Sequence, residues 1–95
     1  MTTSSRRVQR ALESARVLDE VVNNQLVLVA RLPEESRRRA ADFLAELVML
    51  AQFHRQYAAG WISRKELERR GLDTMHRLSA IRRRRASEAQ FTEQD

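Results

Sequence analysis

The sequence predicts an all-α protein: three helices in an elongated antiparallel bundle or hairpin, at about residues 5–32, 33–59 and 64–87. Three observations carry this. Ala40, Phe43, Leu47, Leu50, His54, Tyr57 and Trp61 recur at alternating steps of three and four, which brings them to one face of a helix. Leu44, Val48, Ala51 and Ala58 widen that face beyond a narrow seam. Two glycines and one proline leave few places for a helix to break.

The first helix follows from Val8, Leu12, Ala15, Leu18, Val22, Leu26 and Val29, which share one face. Asn23 and Asn24 are poor helix formers in its middle. They leave a second reading, in which the helix stops near Val22 and Gln25–Leu32 is extended. The continuous helix is preferred, because a lone strand in a helical chain needs a partner strand that only a dimer supplies.

Leu32-Pro33-Glu34-Glu35 starts the second helix. Proline suits the first helical position, and the carboxylates favour the positive end of the helix dipole. At ~1.5 Å per residue this helix is roughly 40 Å long, too long for a compact ball of this chain length. Gly60 ends it by taking the left-handed position after the last turn, with Trp61 and Ile62 expected over the corner. Ser63 caps the third helix, and Glu66 three residues later forms a capping box. Gly60-Trp61-Ile62-Ser63-Arg64-Lys65-Glu66-Leu67 resembles the corner of short helical-hairpin modules appended to many bacterial proteins. The resemblance implies a tight helix–helix turn and no activity.

In the third helix Leu67, Gly71, Met75, Leu78 and Arg82 lie near one line. Gly71 costs about 1 kcal/mol against alanine in a helix interior, so a break with Asp73 or Thr74 capping a fourth helix stays open. Residues 63–85 partly resemble a helix-turn-helix, with Gly71-Leu72-Asp73 as the turn and Thr74–Arg85 as the recognition helix. Leu67 and Gly71 stand one residue closer than that motif requires, and Arg70 occupies a normally buried position. Gln25–Glu35 also resembles the strand and first helix of ribbon-helix-helix repressors. There Gln25, Val27, Val29 and Arg31 would face DNA, and two of them are apolar.

The chain of 95 residues is one helical domain, with frayed ends expected at 1–4 and 88–95. It has no cysteine, hence no disulfide and no thiol chemistry. Met1–Arg10 lacks the apolar core of a signal peptide, and the run Leu26–Ala30 is too short to span a bilayer. A cytoplasmic protein without a membrane span is the expectation. The net charge is +5, unevenly placed: residues 64–85 hold nine basic and three acidic side chains. An up–down–up topology gathers Arg31, Arg37, Arg38 and Arg39 with Arg82, Arg83, Arg84 and Arg85 at one pole. Such a pole suits phosphate or an acidic protein surface. Arg6, Arg7 and Arg10 would meet Arg64, Lys65, Arg69 and Arg70 at the other.

Nothing in the pattern points to catalysis. His54 sits between Leu50 and Tyr57 on the apolar stripe, and His76 has no metal-ligand spacing to it. No nucleophile–base pair or phosphate loop is present in the sequence, so neither an enzyme nor a cofactor is expected. The expectation is a small helical adaptor, regulator or assembly protein. It would self-associate through helix 2, with Phe43, Leu47, Leu50, His54, Tyr57 and Trp61 as the interface. A basic DNA- or RNA-binding regulator using the arginine clusters is the alternative.

Overall fold

The computed structural model describes the backbone of residues 5–94 and the side chains of residues 6–84. It has three helices, α1 (Ser5–Val29), α2 (Glu34–Ala58) and α3 (Arg64–Gln94). The all-α class and the element order are those the periodicity predicts.

The helix ends differ from expectation in instructive ways. α1 stops at Val29 rather than at 32. Its last bonds tighten to the three-residue type, Arg31 N–H to Leu28 at 3.1 Å and Leu32 N–H to Val29 at 3.0 Å. Pro33 follows, and its ring disfavours helical geometry at the residue before it. The extended reading of Gln25–Leu32 is therefore wrong: residues 25–29 are helical. Asn23 and Asn24 do not break α1, because the inward residues on either side of them, Val22 and Val29, are both buried. Pro33 itself is the cap of α2 and not its first helical residue, with φ −57° and ψ 157°. Its carbonyl accepts the first helical bond, from Arg37 N–H at 2.8 Å.

The turn between α2 and α3 lies where the sequence predicts it, with the capping box of Ser63 and Glu66 formed in one half only. Gly60 has φ +81°. Its N–H reaches the Tyr57 carbonyl at 3.0 Å, and the Trp61 N–H reaches Gln56 at 2.8 Å. Together these bonds satisfy the Gln56 and Tyr57 carbonyls in the last turn of α2. Ser63 Oγ accepts from Glu66 N–H at 3.0 Å. The Glu66 carboxylate is engaged by Arg69 and Arg70. Trp61 does not cover the corner: it is 77% exposed, while Ile62 is half-buried.

α3 runs unbroken through Gly71 and on to Gln94, beyond the end expected at 87. Thr74, which could have capped a new helix, is fully buried instead. Residues 88–94, expected as a frayed end, are helical backbone in the structure, and residues 1–4 and 95 lie outside the described residues.

α1 packs on α2 and α2 on α3, while the backbones of α1 and α3 stay apart among the described residues. The core is one cluster, Val22 and Val29 from α1, Leu44 and Leu47 from α2, and Leu78 from α3. Among the described residues two ion pairs at the surface join neighbouring helices, Arg55 with Asp19 and Arg77 with Glu46. The molecule measures 62 × 26 × 16 Å, with a radius of gyration of 16.3 Å, against about 12 Å for a compact chain of this length. Its accessible surface is 7396 Å², where a compact monomer of this mass exposes about 5,700 Å². Three helices in this open arrangement leave much of α2 uncovered.

Candidate interaction surface

Because α1 and α3 flank α2 with their backbones apart, a groove of ≈ 480 Å³ opens over α2. α1 supplies Val21, Gln25 and Val29, and Leu32 follows in the turn. α2 supplies the floor from Ser36 to Leu47, including Ala40 and Phe43. α3 supplies Ile81 and Arg82. The lining holds two arginines, Arg39 and Arg82, and no carboxylate. The Arg82 guanidinium lies 5.9 Å from the Phe43 ring centroid, within cation–π range.

The stripe singled out in α2 divides in the fold. Leu47 is buried in the core of the single chain. Phe43, Leu50, His54 and Tyr57 are half-buried. Trp61 stands apart, exposed. The Nδ1 of His54 is buried without a hydrogen-bond partner among the described residues, and burial pushes the imidazole pKa down. His54 is thus held towards its neutral form.

The opposite flank of α2 is also uncovered. Ala41, Ala45, Val48 and Gln52 share one face by their spacing, and all four are exposed. Met49 lies beside them at 42% exposure and Leu26 of α1 is 51% exposed.

The arginines separate into two groups. Arg38 pairs with Glu34 at 3.0 Å and Arg39 bonds Ser36 at 3.4 Å. Arg37, Arg83 and Arg84 are exposed and make no ion pair among the described residues. The side chain of Arg85 lies outside the described residues. Near the corner, Arg69 and Arg70 share Glu66, Arg69 also meets Asp73 at 3.2 Å, and Arg64 meets Glu68 at 3.7 Å. The proposed gathering of α2 and α3 arginines at one pole is realised at Arg39 and Arg82, which line the same groove.

Neither DNA-binding resemblance survives in its geometric form. A helix-turn-helix at 63–85 needs a turn at Gly71–Asp73, and α3 is continuous there. A ribbon needs a strand before Pro33, and that segment is α1 and its closing turn. Among the described residues no group of three His, Cys, Asp or Glu could hold a metal ion, and no helix is long and apolar enough to cross a membrane.

Sequence reasoning missed Thr74 as a packing residue and missed both cross-helix ion pairs. A small β-branched side chain in the middle of an apolar line was the available sign for Thr74. The ion pairs depend on which helix neighbours which, and periodicity does not encode that. No protein-family model matches the chain, and no curated protein or solved structure matches it.

Proposed function

We propose that this chain is a small non-enzymatic helical adaptor or assembly protein. It works by protein contact and self-associates through α2. The observation that carries the reading is the openness of α2: two neighbours lie on it, neither closes over it, and apolar side chains remain exposed on both its sides. For self-association the flank Ala41–Ala45–Val48–Gln52 is the better seat, since small side chains let two helices approach closely. An antiparallel pairing there keeps the exposed Arg37, Arg83 and Arg84 of the two copies at opposite ends, which lowers the repulsion between chains of charge +5.

Sedimentation velocity tests this. Wild type at tens of micromolar should sediment heavier than a monomer, and Val48→Glu should restore the monomer without loss of helicity. Val48 is 40% exposed, so a carboxylate is tolerated in the single chain. A wild-type monomer overturns self-association.

Nucleic-acid binding is the competing reading, favoured by the exposed Arg37, Arg83 and Arg84. It requires affinity for duplex DNA that falls with salt at a log–log slope of about −0.9 per phosphate contact. Arg83→Gln with Arg84→Gln should then lower both affinity and slope.

A further inference from the structure

We propose that the groove between α1 and α3 docks an acidic amphipathic helix of a partner protein. Its apolar side chains would lie on the Phe43 floor and its carboxylates at the Arg82 rim. The inference rests on the adaptor reading and is independent of self-association.

Two separate observations meet at this place. The first is shape and polarity. The floor and walls are built by Phe43, Ala40, Val21, Val29 and Ile81, from three helices. By spacing, Met75 lies on the same face of α3 as Leu78 and Arg82. It is 56% exposed. A trough of this kind receives the apolar face of a helix, read as anchors at i, i+3, i+4 and i+7.

The second observation is charge. No carboxylate enters the groove lining, and residues 74–87 of α3 contain none. Arg82 has no ion pair among the described residues, and its guanidinium lies against the Phe43 ring, beside apolar surface where a carboxylate contact is least screened. Arg83 and Arg84 follow it, also without ion pairs among the described residues. Arginine engages carboxylates with two parallel hydrogen bonds.

The same facts disfavour the other occupants. A second copy carries the same net charge of +5 and would bring like charge to the arginine rim. A nucleic acid would meet the arginines but leave the apolar floor unused.

The test is fluorescence anisotropy with the full chain at about 150 mM salt, near physiological screening. The probe is a labelled synthetic helix with Leu at i, i+3, i+4 and i+7 spacing and Glu on the flanks. Its scrambled isomer and a 20-base-pair duplex, a length of about two helical turns, are the comparisons. The patterned peptide should bind about tenfold tighter than the scrambled one, a difference of about 1.4 kcal/mol. Val21→Glu puts a carboxylate on the wall and should remove the preference. Gln25→Glu does the same at an exposed lining position should Val21→Glu fail to fold. Arg82→Gln should weaken binding and flatten its salt dependence. Val48→Glu should leave peptide binding unchanged, so that a failed dimer and a failed groove are told apart. Equal binding of both peptides, no binding at all, duplex DNA binding tighter than the peptide, or retained preference in a folded Gln25→Glu variant overturns the proposal.

Discussion

The two halves of α3 use arginine in opposite ways. Between Arg64 and Arg77 the side chains are tied down. Arg64, Arg69 and Arg70 bond the carboxylates of their own helix, Arg70 also lies 5.1 Å from the Phe53 ring centroid and reaches Gln56 at 3.0 Å, and Arg77 reaches Glu46 at 2.7 Å. From Leu78 to Arg84 the helix is held by apolar contacts, Leu78 and Ile81 inward, while Arg82 leans on a ring and Arg83 and Arg84 point to solvent. Carboxylate density explains the difference. Glu66, Glu68 and Asp73 lie among the first arginines, and no acid lies among the second. Charge runs of the same sign thus mean different things within one helix. The first is part of the architecture, and the second is available to a partner.

The largest test of this contrast is Leu78→Ala. Leu78 is the one α3 member of the central cluster, and its truncation should cost about 3 kcal/mol by urea denaturation. Leu67→Ala, at a half-buried position in the first half, should cost less. A reversed order would mean that the ion-pair half, not the apolar half, anchors α3. Ser63→Ala comes next. It removes the oxygen that accepts from Glu66 N–H and should cost about 1 kcal/mol, read as a lowered melting temperature. A smaller effect is expected from Arg77 and Glu46, whose coupling in a double-mutant cycle should be about 0.5 kcal/mol. Arg83→Gln with Arg84→Gln should cost no stability, and a loss comparable to the Arg77 variants would erase the distinction between the halves.

The smallest effect is a pH dependence. Hydrogen bonds from Arg69 and then Arg70 hold the Glu66 carboxyl at about 2, below its ordinary 4.5. The unfolded chain therefore takes up this proton more readily than the folded one. The contribution is complete above the ordinary carboxylate range and is lost as pH falls from 4.5 towards 2. Glu66 is near solvent, which weakens the effect. Subtracting the acid-unfolding curve of Glu66→Gln from that of wild type should leave a loss confined to that window.

What was legible in the sequence was local. The step of three and four in α2, the proline at 33 and the glycine-to-serine corner at 60–63 each act within a few residues. Their outcomes were right to within a few residues. The two alternatives left open, an extended 25–32 and a break at Gly71, failed, and the continuous helices preferred on pattern stand, because tertiary packing outweighs propensity. Asn23 and Asn24 cost α1 little once Val22 and Val29 are both buried against its neighbours. Gly71 costs α3 little once Thr74, Leu78 and Ile81 fix the helix on α2. The apolar stripe was legible as a face, but not as floor, core and outlier in one. Leu47 is buried, Phe43 lines a groove and Trp61 projects into solvent, because their environment depends on where α1 and α3 stop. The groove itself was not legible, since it exists only because α1 and α3 stay apart.

That separation has a consequence for how the molecule opens. α2 serves as a spine shared by two hairpins, and among the described residues the backbone of each outer helix packs on the spine alone. Either one can detach while the other hairpin stays closed, so amide hydrogens in α1 and α3 should exchange through separate openings, each with its own denaturant dependence. Amides around Leu44, Leu47 and Ala51 would become fully accessible only after both have left. The slowest exchange in the chain should therefore lie at the middle of α2.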